Sequence, residues 1–197
     1  MAPQTLRETV LRAAVDYIAD HGPDGLSFRQ VAQAAGVSHQ APYHHFTDRK
    51  GIFQAISVEG YEVFNAAMTG ALANDPDDPS TALLKAYVDF ALDHRGHFRV
   101  MFRPDLCSVD DDPELAQLHD RSFGILVDLV REILGPQASI DDIRARTTAM
   151  WALAHGLATL LIDGPLENMV GPMKDRHALI QSVATQSGMA APKKRPR

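Results

Sequence analysis

An all-α fold is predicted on three observations. Apolar residues recur at helical spacing through most of the chain, and no segment alternates as a half-buried strand would. Breaker clusters punctuate it at Gly22-Pro23-Asp24-Gly25, at 74–79 (NDPDDP), at Gly135-Pro136 and at Gly164-Pro165. Residues 27–53, SFRQVAQAAGVSHQAPYHHFTDRKGIF, read as a helix, a tight turn at Gly36 and a second short helix with polar and aromatic groups. That is a helix-turn-helix pattern, whose second helix enters the major groove of DNA.

The first helix is expected from about Thr5 to His21, with Leu6, Val10, Ala13, Ala14, Tyr17 and Ile18 on one stripe. The second opens on Ser27, whose oxygen can accept from the free N–H groups. Gln30, three residues on, can reach back to complete a capping box. Phe28, Val31, Ala32 and Ala35 form its apolar face, and Gly36 suits the left-handed position that ends it. A recognition helix is expected at His39–His45 with Ser38 as its cap. Ser38, His39, Gln40, Tyr43 and His44 can all hydrogen-bond; Gln can read adenine edges, and Ser and Tyr suit phosphates. Phe46 returns to the core. Thr47 or Asp48 caps the next helix, which puts Arg49 and Lys50 in its first turn. Cations oppose the macrodipole there, a placement that makes sense if charge and helix N-terminus face a phosphate together. Ile52, Phe53, Ile56, Phe64 and Met68 carry that helix to about Ala73.

After Ser80 the pattern stays helical. Leu83, Leu84, Tyr87, Val88, Ala91 and Leu92 make one helix, and 96–102 a short one before Pro104. Asp110-Asp111-Asp112-Pro113 is a loop and a helix-start signal. Leu115–Leu134 is a long helix. Ser139, with Asp142 three residues later, caps the helix holding Trp151 and His155. The last helix is expected from about Pro172 to Ser187.

The run Gly36-Val37-Ser38, Tyr43-His44-His45-Phe46, Arg49 and Ile52-Phe53 resembles the DNA-binding domain of the TetR family of transcriptional regulators. The resemblance extends without a gap from about residue 5 to 55. It implies that Tyr43 contacts a phosphate, that His45 and Phe46 close a three-helix core, and that Arg49 stands where the family usually has a phosphate-facing Lys. Ser27 and Arg29 would contact the DNA backbone, Arg29 also reaching toward a base, with His39, Gln40 and His44 facing the groove. Pro42 departs from the family's usual aliphatic residue. It removes the first i→i−4 bond and pushes Ala41 from helical geometry, so a tighter turn is expected.

Farther on, Trp151-Ala152-Leu153-Ala154-His155-Gly156 resembles a Trp-x-x-x-His-Gly signature of one C-terminal TetR subgroup, and Phe98–Phe102 fits it too. The family pairs its last two helices with those of a second copy. That implies a homodimer with faces near 143–162 and 173–187, and Leu153, Leu157, Leu160, Leu161, Leu179, Ile180 and Val183 as contacts. A largely apolar effector pocket would draw on Phe90, Phe98, Met101, Phe102, Phe123 and Trp151, with His155 as its polar group. The expected division is 1–50 for the DNA-binding domain, 51–187 for effector binding and dimerisation, and 188–197 for a basic, disordered tail.

Composition agrees with a folded regulator. The chain has 197 residues, 45% of them apolar, and one cysteine, Cys107, so no internal disulfide forms. A reducing cytoplasm is the expected compartment, and the N-terminus lacks a signal pattern. The apolar uncharged stretch 147–162 is short for a membrane span. Net charge is −6, unevenly spread. Residues 1–50 hold five basic and five acidic side chains, 51–191 ten and twenty, and the tail PKKRPR four basic ones. An acidic body is repelled by DNA, which suits docking through the N-terminal end alone.

No HExxH, GxSxG or Gly-rich phosphate loop is present, so neither catalytic residues nor a cofactor are expected. His94 and His97, at i, i+3 with Asp89 and Asp93 nearby, are the metal-enzyme alternative, but no third and fourth ligands stand at ligating spacing. Cys107 has Arg103 near in sequence and no partner fixed by spacing for a redox role. The expected protein is a homodimeric repressor on a palindromic operator, half-sites about 34–36 Å apart or a multiple of it. A small-molecule effector would release it through the helix that joins the domains. The alternative within DNA binding is a regulator with no effector.

Overall fold

The computed structural model describes residues 5–73, 76–164, 166, 171 and 175–189, and among these the structure is helical with no strand. The helices are α1 (Leu6–His21), α2 (Phe28–Ala35), α3 (Arg49–Leu72), α4 (Pro79–Asp93), α5 (Arg95–Met101), α6 (Pro113–Leu134), α7 (Ile140–Asp163) and α8 (Arg176–Gln186). Short 3-10 turns sit at Pro42–His44 and Val109–Asp111. The expected helix start at Pro172 and the tail at 190–197 lie outside the described residues.

The chain folds as two compact units. One runs to Val63 and takes in His94–His119; the other holds Phe64–Asp93 and Asp120 onward. The first unit thus runs past residue 50 and includes α5.

In the first unit, α1 starts with a capping box. The Glu8 N–H donates to Thr5 Oγ1 at 3.2 Å, and the Thr5 N–H to Glu8 Oε2 at 2.8 Å. It buries Val10, Leu11, Ala13, Ala14 and Ile18, whereas Leu6 stays exposed. Leu26, Phe28, Val31, Phe46, Ile52, Phe53 and Ile56 complete this core. α5 crosses α1 at Gly96. A Cβ there would lie 2.3 Å from the Val15 carbonyl oxygen, so only glycine permits the approach. On its other side α5 meets α3 at Gly60, where a Cβ would stand 3.1 Å from His97 Cβ and from Met101 Sδ. Tyr61 locks this contact by donating its O–H to the Met101 carbonyl at 3.0 Å. Burial pushes the Tyr61 pKa up, so the hydroxyl remains a donor.

In the second unit, α4 packs against α7 and α8. Asp78 caps α4, accepting from the Thr81 N–H and O–H at 3.1 and 2.6 Å. Ser139 and Asp142 form the expected capping box of α7, and Gly164 ends it in left-handed geometry (φ 79°). Phe64 sets its ring edge-on to Tyr87 and Phe90. Asp89 receives Arg176 at 3.0 Å and both of its oxygens lie within 3.1 Å of His177 Nε2, tying α8 to α4. No helix among the described residues is long and apolar enough to cross a membrane.

Candidate nucleic-acid interface

Ser27 starts α2 with an extended backbone and accepts from the Gln30 N–H at 3.3 Å. The return half of the expected capping box is replaced. The Gln30 carboxamide oxygen instead accepts from Ser27 Oγ at 2.6 Å, and its nitrogen donates to Tyr17 Oη at 2.8 Å, fastening α2 to α1. Gly36 ends α2 at φ 66°, ψ 30°, with the Val37 N–H reaching back to the Ala32 carbonyl at 3.0 Å. This Schellman closure needs the left-handed residue that glycine supplies without strain.

The recognition segment differs from the expected helix at His39–His45. Only Pro42–His44 is helical, and it is 3-10. Bonds run three residues back, from Ala41 to Ser38, Tyr43 to Gln40, His44 to Ala41 and His45 to Pro42, at 3.0–3.3 Å. Pro42 has no N–H to give, so the α-helical ladder cannot begin at Ser38 and the turn tightens. Ala41, Pro42 and Phe46 form its buried underside. Ser38 makes no side-chain cap to this turn. Its hydroxyl faces solvent with His39, Gln40, Tyr43 and His44.

All nine expected DNA-contact residues are exposed: Ser27, Arg29, Ser38, His39, Gln40, Tyr43, His44, Arg49 and Lys50. Tyr43 is the most informative. It is 63% exposed yet positioned, its ring meeting Phe28 edge-on at 4.4 Å. Two expectations change. His45 does not close the core; it is exposed, and Phe46 alone does that work at 5% exposure. Arg49 is already engaged, its Nη1 donating to the carbonyls of Asp24 and Leu26 at 3.1 and 3.2 Å while its guanidinium covers Phe53. Asp48, not Thr47, opens α3 by accepting from the Gly51 N–H at 2.9 Å. Gln33 shares the exposed outer side of α2 with Arg29; its i, i+4 spacing from Arg29 was the signal that could have found it.

The effector candidates divide between the units. Phe98 and Met101 are buried in the first, and Phe102 packs edge-on against Tyr61 and Phe98. In the second, Phe90 is buried against Phe64. Phe123 and Trp151 pair edge-on at 6.3 Å and are 44% and 42% exposed. Trp151 continues to His155, whose Nδ1 lies 2.9 Å from Tyr87 Oη. Tyr87 was absent from the expected set, because the hydrogen bond that recruits it spans 68 residues.

Burial lowers the His155 pKa, which favours a neutral imidazole accepting the Tyr87 proton at Nδ1. The folded state then binds this proton more weakly than the unfolded chain. Stability from this site is full above the unfolded imidazole value and is lost as pH falls from there through the lowered folded value. Thermal melts at pH 8 and pH 5 should show a smaller acid-induced drop in Tm for His155→Gln than for the parent; an equal or larger drop would refute this.

Among the proposed dimer residues, Leu157 and Ile180 are buried inside the unit and have no surface to offer a partner. Leu153, Leu161, Leu179 and Val183 are half-buried, and Leu160 is 42% exposed. The outward side of α7 is lined by Ala145, Ala149, Ala152 and Gly156, all exposed. Among the described residues no group of three or more His, Cys, Asp or Glu is placed to hold a metal ion. The Asp89 carboxylate is taken by Arg176 and His177.

Two family profiles match the chain. One, described as bacterial regulatory proteins, tetR family, covers residues 10–56, and the other, tetracyclin repressor-like C-terminal domain, covers 80–185. The chain belongs to the TetR family of bacterial regulators. Similar to it is the HTH-type transcriptional repressor AcnR of Corynebacterium glutamicum, 35% identical over 57 residues, which are 29% of this chain and 30% of that one. The match thus spans under a third of that relative's length. A TetR-family regulatory protein from Rhodococcus RHA1 shares the fold with a TM-score of 0.74 and 20% identity, over 95% of this chain and 98% of that one. So does the TetR-like regulator LfrR of Mycobacterium smegmatis, solved with proflavine, with a TM-score of 0.65 and 21% identity, over 93% and 94%. Within this TetR chain the N-terminal match spans the whole recognition segment, including Pro42, and the C-terminal match spans Trp151 and His155.

Proposed function

We propose that this chain is a homodimeric transcriptional repressor, acting in the cytoplasm on a palindromic operator and released by a small, largely apolar effector. The observation that carries the DNA-binding part is the recognition turn. Its polar side chains project outward from a base fixed by buried Ala41, Pro42 and Phe46, and Tyr43 is braced on Phe28. Such a surface gives phosphate and base contacts while its backbone stays in register. Its residues and spacing fall within the family profile, and the relative AcnR is named a repressor. Selection of sites from random duplex DNA tests the reading. A two-fold symmetric site, weakened by Tyr43→Ala, is expected; no enrichment would refute it.

The dimer rests on α7. Small residues at 145, 149, 152 and 156 leave room for a second helix to cross closely. The double variant Ala152→Arg/Gly156→Arg should sediment as a monomer. It should bind a palindromic site at least about 100-fold more weakly, because the two half-sites lose their linkage. A variant that remains dimeric would remove α7 from the interface. The effector part is supported by the aromatic series Phe123, Trp151, His155 and Tyr87 and by LfrR's complex with proflavine. Trp151 is the one tryptophan in the sequence, so its fluorescence reports occupancy of this group directly.

A further inference from the structure

We propose that the effector of this chain is a planar, uncharged aromatic molecule bearing an acceptor oxygen, seated against the Phe123–Trp151 ring pair with that oxygen at the His155–Tyr87 pair. The inference rests on the effector reading above and names the chemistry of the ligand.

Tyr43, Phe123 and Trp151 are the exposed Phe, Tyr and Trp side chains among the described residues. Tyr43 belongs to the recognition turn. The other two, from α6 and α7, meet edge-on at 6.3 Å and 87°. Exposed apolar surface gathered in one place, rather than scattered, marks a binding surface. From this pair a chain of ring contacts runs inward. Trp151 meets His155 at 6.3 Å, His155 meets Tyr87 at 6.4 Å, Tyr87 meets Phe64 at 5.3 Å and Phe64 meets Phe90 at 5.1 Å. Exposure falls along it, from 42% at Trp151 to 6% at Tyr87 and 3% at Phe90. The series has an open aromatic end, a polar pair in its middle and a closed apolar end. Small-molecule sites have this composition, an apolar lining with a few polar groups that fix orientation.

The rings set the shape of the ligand. Phe123 and Trp151 stand nearly perpendicular, so a flat ring laid on the face of one meets the edge of the other. Both contacts are favoured aromatic geometries. The polar pair sets the rest. Phe123, Trp151 and Tyr87 carry no charge, and burial holds His155 toward its neutral form. Neither a cation nor an anion meets a counter-ion in the series, and a buried charge without one is costly. The Tyr87 hydroxyl, 2.9 Å from His155 Nδ1, donates to it. The ring proton then sits on Nε2, which makes that nitrogen a donor and calls for an acceptor oxygen on the ligand. Trp151 and His155 lie 6.3 Å apart, so the oxygen belongs one ring beyond the part stacked on Trp151. The site is distinct from the side of α7 offered to a second copy. Trp151 lies about 100° round the helix from Ala152, and it turns toward Phe123 of α6.

The test measures binding of naphthalene, 2-naphthol, 2-naphthoate, 2-naphthylmethylammonium and 1-decanol to the full chain by equilibrium dialysis. 2-Naphthol should bind at least about threefold more tightly than naphthalene, the size of one neutral hydrogen bond. It should bind at least about tenfold more tightly than the two ions, which lack a counter-ion, and more tightly than 1-decanol. Without a polar anchor the hydroxyl loses its hydration for nothing, and naphthalene becomes the tighter ligand. Phe123→Ala and Trp151→Ala should each weaken 2-naphthol by about fivefold or more. Tyr87→Phe and His155→Leu should bring the ratio of 2-naphthol to naphthalene affinity down to about one or below, as expected for a lost hydrogen bond. Partial unfolding would scale both ligands alike and leave that ratio unchanged. Sedimentation of Phe123→Ala/Trp151→Ala should match the parent. Equal or tighter binding of naphthalene, either ion or 1-decanol would overturn the proposal and leave the effector reading standing. So would a ratio unchanged in either polar-pair variant, or a ring-pair variant of altered oligomeric state, which would assign the rings to the dimer. No binding of any probe up to its solubility would end both readings.

Discussion

Gly96→Ala is expected to destabilise the DNA-binding unit strongly. The added methyl would lie 2.3 Å from the Val15 carbonyl oxygen, 2.8 Å from Val15 Cγ1 and 3.0 Å from the Val15 carbonyl carbon. Two of these are backbone atoms within α1 and cannot step aside as a side-chain tip would. α5 must then retreat from a helix that also supplies Val10, Ala14 and Ile18 to the core. Overpacking of this kind costs about 3 kcal/mol or more, which for a chain of this size lowers Tm by roughly 6–12 °C. Two other helical glycines calibrate the result. At Gly60 the nearest atoms, at 3.1 Å, are the side-chain atoms His97 Cβ and Met101 Sδ, so Gly60→Ala should cost about 1 kcal/mol. At Gly70 nothing lies within 4 Å, and Gly70→Ala should stabilise by up to about 1 kcal/mol through helix propensity alone. Urea melts of the three variants should fall in that order; a Gly96→Ala protein as stable as the parent would mean that α5 does not press on α1 as described.

That ordering shows where the sequence was readable and where it was not. Features written within a few residues came through. The breaks at 22–25 and 135–136, the left-handed Gly36, the Ser139–Asp142 box and, Leu6 apart, the apolar stripes correspond to what the helices do. Pro42 was legible too, because its missing N–H acts locally. Its consequence went further than expected, replacing a helix with a single 3-10 turn. Features that depend on partners far along the chain did not come through. Nothing near Gly96 says that it faces Val15, nothing near His155 says that it meets Tyr87, and α5 could not be assigned to the first unit from its own seven residues. His45 was misplaced for a related reason. The family resemblance put it in the core beside Phe46, but it is the residue that closes the 3-10 turn and stays exposed, while Phe46 just beyond is buried.

Arg49→Ala should weaken DNA binding by roughly 10- to 100-fold, and the route by which it does so is the point of interest. Sequence resemblance puts this residue against a phosphate. Its hydrogen bonds put it against the carbonyls of Asp24 and Leu26, in the turn that delivers Ser27 and the start of α2. Arg103 grips the same turn through the Asp24 carboxylate at 3.4 Å, and its Nε also holds Asp105 at 2.8 Å. A bond from a charged donor to an acceptor contributes about 1.5–3 kcal/mol when well buried, and less here because Arg49 is exposed. Losing the clasp should therefore lower Tm by a few degrees and loosen the placement of Ser27 and Arg29. The salt dependence separates the two roles. A side chain that neutralises one phosphate lowers the salt slope by about one when removed, whereas one that only positions others lowers affinity and leaves the slope nearly unchanged. Lys50→Ala, beside it on α3, should show the first behaviour and Arg49→Ala the second. If Arg49→Ala also reduces the slope by about one and leaves Tm intact, the arginine leaves its carbonyls for the phosphate when DNA arrives. Arg103 would then keep its hold on that turn through the Asp24 carboxylate.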